Sequence, residues 1–141
     1  MAVLFNFPEI NERATTKQVR QFFNDDVEQL QKLAGLSLRS ITMDNIGGGH
    51  SNHLNSYEHG LIKAVEARQE LKLIKQAIND CPAESKQLLT DRYINHFPLF
   101  RIAMDDGYSR ATLQRRFNSA LLEFAYRYLR QGRNLLVSEH E

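Results

Sequence analysis

Apolar residues recur at intervals of three and four along most of this chain, and this periodicity is the feature that most limits its fold. No stretch alternates apolar and polar residues in the manner of a half-buried strand. The first periodic stretch lies behind Thr15 and Gln18, which have capping-box spacing, and ends at Gly35. The pattern predicts an amphipathic N-terminal helix in an all-α protein. Its apolar positions are Val19, Phe22, Phe23, Val27, Leu30 and Leu33.

A polar, glycine-bearing stretch, "DNIGGGHSNHLNS", interrupts the periodicity and predicts a flexible linker. It divides the sequence into an N-terminal helical arm (residues 1–43), a Gly/Ser/Asn/His linker (44–56) and a helical domain (57–141). A chain of 141 residues, 42% of them hydrophobic, can bury one core of modest size. One small domain with an ordered arm is therefore the expected organisation.

A long helix is predicted to begin near Asn55. Its apolar positions alternate spacings of three and four, as in a short heptad seam. Packing within the chain and pairing with a second copy both remain open, and a homodimer is one expected partner state. The seam residues are Ala64, Ala67, Leu71, Ile74 and Ile78. A further helix should open at Pro82, with Leu88, Leu89 and Ile94 on its apolar face.

The segment 99–118 has the signals of a helix-turn-helix unit. A short helix is expected from about Leu99 to Asp105, and Gly107 can take the positive φ that a tight turn needs. Ala103 leaves room for a close helix crossing, and Ser109 can cap a last helix running to about Gln131. The residues expected to anchor this last helix in the core are Leu113, Phe117, Ala120, Leu121 and Phe124.

The opposite face of the last helix is polar and basic. Arg, Gln and Asn side chains can form paired hydrogen bonds with guanine or adenine edges, so this face predicts a recognition helix in the major groove of double-stranded DNA. A solvated face over a helical core is the alternative. We expect Gln114, Arg115 and Asn118 to read bases. The full candidate set, including phosphate and backbone contacts, is Ser109, Arg110, Thr112, Gln114, Arg115, Arg116 and Asn118.

The distribution of charge supports this expectation better than the net charge of +1 does. Residues 107–133 contain six arginines and one acidic residue, whereas residues 1–106 contain twelve basic and fourteen acidic residues. Positive charge concentrated in one segment is typical of a nucleic-acid footprint.

Other functional classes find little support in the residues. The single cysteine, Cys81, excludes an internal disulfide and a multi-cysteine zinc site. His50, His53 and His59 cluster near Glu58, but a flexible linker does not make metal ligands converge. No nucleophile, base and orienting group stand together. We therefore expect no enzyme activity, no catalytic residue, no metal and no cofactor.

The start of the chain, "MAVLFNFPEI", lacks the basic and long apolar regions of a secretory signal. No run approaches the roughly 20 apolar residues that span a bilayer. A cytoplasmic protein without a membrane partner is expected.

The stretch "LLTDRYINHFPLFRIAMDDGYSRATLQRRFNSALLEF" resembles the fourth region of bacterial sigma factors, in which a short helix and a recognition helix read promoter DNA. The likeness includes "LL…RYI" before the motif and Ala120 after "RRF". It implies a sigma region-4-like helix-turn-helix bundle. A contact with RNA polymerase is also implied. The candidates for it are Tyr93, His96, Phe97 and Phe100, and core packing explains most of these residues equally well.

A wider resemblance is to the ArpU family of phage-encoded transcriptional regulators. It rests on "LFNFPEIN", Thr16, "LAG" before the linker, "AIND" and "ALLEFAYRYLRQGRNLL", in this order. The linker histidines depart from the serine- and acid-rich linker of that family. The resemblance implies a phage or prophage regulator that activates late genes in the cytoplasm of a bacterial host. The alternative is a phage DNA-packaging protein of the small terminase type, or a helical adaptor.

Overall fold

The computed structural model describes residues 9–42 and 55–139. These two ranges are helical and contain no β-strand, which confirms the all-α prediction for them. In chain order the elements are α1 (Glu12–Gln21), a first π-helical segment (Phe22–Asp26), α2 (Val27–Ala34), α3 (Asn55–Asn79), α4 (Ala83–Leu89), a second π-helical segment (Thr90–Ile94), α5 (Leu99–Asp106) and α6 (Arg110–Leu129).

The N-terminal helix begins one turn earlier than the capping-box prediction. The side-chain oxygen of Asn11 accepts a hydrogen bond from the Ala14 backbone N–H at 3.0 Å and caps α1. Thr15 lies inside the helix, fully buried, and its hydroxyl oxygen accepts from the Val137 N–H at 2.9 Å. The prediction that Thr15 caps the helix is wrong, because Asn11 supplies the cap and Thr15 binds the C-terminal segment.

The first π-helical segment joins α1 to α2 without a break. Its wider turn accommodates two adjacent phenylalanines, Phe22 and Phe23, on the core side of the helix. The helix then ends at Gly35, whose φ of +69° is a left-handed conformation that glycine adopts without strain.

The face of α3 that carries the heptad-like seam is buried in the chain's own core. Ala67, Leu71, Ile74 and Ile78 are buried, and Ala64 is half-buried. Helix α3 packs against α2 and α6. Packing within the chain therefore accounts for the seam.

Aromatic side chains join the two described ranges in one core. Phe23 stacks on Tyr93 with 4.1 Å between ring centroids, and Phe22 lies 5.3 Å from Tyr128. Phe124 of α6 packs against both phenylalanines. Helices from the predicted arm and from the predicted domain thus share this core, while most of the predicted linker, 44–56, lies outside the described residues.

Helix α6 ends at Leu129, close to the predicted Gln131, and Gly132 with a φ of +86° turns the chain back. The following residues run along the start of α1, where the Asn11 N–H donates to the Val137 carbonyl at 2.8 Å. The two ends of the described chain are therefore bonded to each other. Among the described residues, no helix is both long and apolar enough to cross a membrane.

Candidate nucleic-acid interface

A tight turn joins α5 to α6. Gly107 follows the last residue of α5 with a φ of +73°, and the Tyr108 N–H donates to the Ala103 carbonyl at 2.9 Å. Ser109 then caps α6, since its hydroxyl oxygen accepts from the Thr112 N–H at 3.1 Å. The predicted turn glycine and the predicted cap are confirmed, and α5 ends one residue later than predicted.

The inner face of α6 is buried in the core. Leu113, Phe117, Ala120, Leu121 and Phe124 are buried, as the helical periodicity predicts. The helix packs against α1 on one side and α4 on the other. Its outward surface near the turn is therefore limited to a polar stripe.

Arg115 lies at the centre of this outward stripe, between the exposed residues Ala111 and Ser119. Its guanidinium donates to the Thr112 hydroxyl at 3.3 Å. The side chains of Arg110 and Gln114 are exposed and make no hydrogen bond or ion pair with any residue that the structure describes. No Asp or Glu occurs from 110 to 122, so this part of α6 keeps three positive charges without a neighbouring carboxylate on the helix itself.

Arg116 differs from the other two arginines because α4 supplies it with a carboxylate. Its Nη1 lies 2.5 Å from Glu84 Oε2, and its guanidinium carbon lies 5.2 Å from the centre of the Tyr108 ring. Tyr108 donates to the same Glu84 oxygen at 3.0 Å, which raises the pKa of the Tyr108 hydroxyl. Arg116 is thus held on the flank of α6 with its charge balanced.

Asn118 is also engaged within the protein. It is half-buried, and its side-chain oxygen accepts a hydrogen bond from Arg20 Nη2 at 2.5 Å. Paired recognition of adenine requires both the oxygen and the nitrogen of an amide. In this conformation Arg20 occupies one of the two acceptor positions of the Asn118 oxygen and restrains the orientation of the amide.

The remaining two predicted residues lie at the start of α6. The hydroxyl groups of Ser109 and Thr112 bond to each other at 3.0 Å, beside the capped first turn. The structure therefore gathers all seven predicted residues at one end of α6. It leaves Arg110, Gln114 and Arg115 the most accessible and engages Arg116 and Asn118 with other helices.

A groove of about 440 Å³ beside this end of α6 was not predicted from the sequence. We call it the arginine groove, since Arg20, Arg92 and Arg110 line it together with Asn24 and Gln114. These residues come from distant segments that only the fold brings together. The apolar residues of its wall are Tyr93, Leu99, Phe100, Ala103, Leu113 and Phe117.

The buried thiol of Cys81 has no reactive environment. Burial raises its pKa to about 11, and its sulfur donates to the Ala77 carbonyl at 3.4 Å. Within the described ranges, no group of three or more His, Cys, Asp or Glu side chains could hold a metal ion. His50 and His53 lie outside those ranges.

Comparisons of the chain with family models, with curated proteins and with solved structures find no match. The ArpU and sigma region-4 resemblances accordingly stay predictions from the sequence.

Proposed function

We propose that this protein is a sequence-specific DNA-binding transcriptional regulator that inserts the start of α6 into the major groove. The supporting observation is the exposed stripe of α6 around Arg115, which carries basic side chains and no carboxylate. An α-helix with its side chains is about 10–12 Å across, which matches a major groove about 12 Å wide.

Arg115 is the residue best placed to read a base. It projects from the middle of the exposed stripe, and its bond to the Thr112 hydroxyl at 3.3 Å is weak enough to exchange for a guanine edge. Gln114 lies one position away and has a free amide for adenine. Asn118 is less available than these two residues, because Arg20 already donates to its side-chain oxygen.

The start of α6 suits a phosphate. Unbonded backbone N–H groups and the helix dipole favour an anion at a helix N-terminus and disfavour a cation there. Arg110 nevertheless occupies the first helical position, and the first turn contains no acidic residue. A DNA phosphate would relieve this unfavourable arrangement, because it binds Arg110 and the N–H groups together.

The regulatory role follows from the family resemblance and is part of the proposal. A phage or prophage regulator of late genes would act with RNA polymerase in the bacterial cytoplasm. A single helix-turn-helix unit covers little DNA, so a homodimer would supply a second half-site. With the α3 seam buried, the pairing surface of such a dimer must lie elsewhere.

Selection of bound duplexes from a random DNA library, followed by anisotropy titrations, tests the proposal. Arg115→Ala should weaken binding to the selected sequence by about 1–3 kcal/mol and remove the preference at one or two base pairs. Arg39→Ala, which removes an exposed arginine between α2 and α3, is the matched control and should bind normally.

An unchanged sequence preference in Arg115→Ala would disprove the base-reading role of α6. Selection that enriches no sequence would contradict specific binding altogether. A large closed ring in native mass spectrometry would instead support the packaging alternative.

A further inference from the structure

The arginine groove is short of negative charge. Among the described residues, no acidic side chain lines it. Arg20 donates to the amide oxygen of Asn118, and Arg92 donates to the Phe97 carbonyl at 3.1 Å, so both partners are neutral. Neither of these arginines, nor Arg110, has a carboxylate within ion-pair distance among the described residues.

Arg20 and Arg92, both half-buried residues, line the groove together with Tyr93. Burial raises the pKa of the Tyr93 hydroxyl, and the charges of Arg20 and Arg92 act on it in the opposite direction. Partial burial of a guanidinium costs free energy, because the charge loses hydration. Proteins therefore normally pair such a group with a negative charge. The groove is therefore complementary to an anionic occupant.

The apolar surface does not stop at the rim of the groove. Phe100 is 71% exposed and Met104 is 75% exposed on the outer side of α5, and Leu99 is 44% exposed at the groove. A small molecule that fills the groove would leave Met104 uncovered, because Met104 is not among the lining residues. Phe, Tyr, Met and Arg are the residues that interface centres favour over the general surface.

We propose that the arginine groove and the outer side of α5 bind a segment of another protein that combines Asp or Glu with large apolar residues. One apolar side chain fills the groove against Tyr93 and Leu113, while carboxylates pair with Arg20 and Arg92. The adjoining apolar residues of the segment cover Phe100 and Met104. An amphipathic acidic helix has this combination of groups.

DNA is the less suitable occupant. Phosphates would satisfy the arginines but would bury neither Phe100 nor Met104, because the backbone of DNA is polar. The partner segment therefore adds an interaction to the proposed DNA binding and does not depend on it. Arg115 lines no part of the groove, so it can be changed to test DNA binding separately.

Display selection on the full chain with random peptides identifies the ligand chemistry, and a synthetic copy of an enriched peptide then serves as the probe in anisotropy titrations. We expect enriched peptides to combine Asp or Glu with Leu, Ile or Phe. Arg20→Gln and Arg92→Gln should each weaken the probe about tenfold, the usual effect of losing one charged hydrogen bond. Phe100→Ser should also weaken it about tenfold, and its exposure means that the fold does not depend on it.

Two controls should bind the probe normally. Arg13→Gln removes an exposed arginine from the same helix as Arg20, and Arg115→Ala removes the proposed base reader. Peptides without an acidic and apolar combination, or probe affinity that is unchanged in Arg92→Gln and Phe100→Ser, would overturn the proposal. If no peptide is enriched and Arg20→Gln and Arg92→Gln weaken duplex DNA instead, the groove binds phosphates. If only the aromatic sulfonate dye 1-anilinonaphthalene-8-sulfonate binds saturably there, it is a small-anion pocket.

Discussion

Arg20 on α1 donates a hydrogen bond to the side-chain oxygen of Asn118 on α6 at 2.5 Å. The helix proposed to read DNA is thus fixed to the N-terminal helix by a side chain that was itself expected to read a base. The side-chain amide of Asn118 therefore has two possible functions, which are to hold α6 against α1 and to contact a base.

Asn118→Ala should lower the free energy of unfolding by about 1–2 kcal/mol, because it removes the partner of a charged donor. Urea unfolding measures the change. Ser119→Ala, on the exposed neighbouring position, should change stability by less than about 0.5 kcal/mol. Equal stabilities of the two variants would show that the Arg20 bond contributes nothing.

Glu84→Gln should tighten binding to duplex DNA of any sequence. The carboxylate balances Arg116, and its removal leaves that arginine free to meet a phosphate. The plot of log K against log salt should become steeper by about 0.9, the value for one additional phosphate. Glu66→Gln removes an exposed carboxylate from α3 and should leave the slope unchanged.

An effect of Glu84→Gln on stability should be small, because pairs as exposed as Glu84 and Arg116 contribute at most about 1 kcal/mol. DNA binding that weakens in Glu84→Gln would mean that the ion pair positions Arg116 for DNA and does not compete with it.

The salt dependence of DNA binding by the unchanged protein should show how many copies of the protein bind one duplex. If one copy neutralises about three phosphates, the slope of log K against log salt is near −3 for a monomer and near −5 for a dimer. Sedimentation on the selected duplex gives the copy number independently. A slope near zero would exclude binding of α6 in the major groove of DNA. A metal chelator should leave the slope unchanged.

Stability should fall as the pH rises from about 9 to about 11. The folded protein raises the pKa of Cys81 to about 11 through burial, so the thiol ionises more readily in the unfolded chain. Its contribution is complete below the pKa of the unfolded thiol and is lost as the pH approaches the folded value. Urea unfolding of Cys81→Ala should show a smaller loss over this range than the unchanged protein does.

Burial also raises the pKa values of Tyr93 and Tyr128, so a residual alkaline loss should remain in Cys81→Ala. If the stability difference between Cys81→Ala and the unchanged protein were the same at every pH, the thiol would have no part in the alkaline loss.

Local signals predicted the turn well. Gly107 and Ser109 act on residues within one turn of themselves, so their roles as turn glycine and cap follow from the adjacent sequence. The buried residues on the inner face of α6 were predicted equally well from the helical spacing of its apolar residues. The start of α1 did not, because Asn11 and Thr15 are both capping residues and the choice between them depends on Val137, far along the chain.

The charge balance of the candidate site could not be predicted in the same way. Arg115 and Arg116 are neighbours in the sequence, yet only Arg116 meets Glu84, because α4 packs along one flank of α6. Arg20 and Arg92 likewise come together only through the packing of helices that the sequence does not order in space. Periodicity assigns residues to faces of a helix, whereas pairing between helices depends on contacts across the chain.

The bond between Thr15 and Val137 also has a consequence for biosynthesis. These residues are 122 positions apart, so α1 cannot complete its contacts until nearly the whole described chain has left the ribosome. Contacts between such distant positions form late and slow the folding of a domain. During translation the apolar face of α1 therefore lacks its α6 neighbour until α6 has emerged, and the Thr15 hydroxyl lacks its partner until residue 137 has emerged.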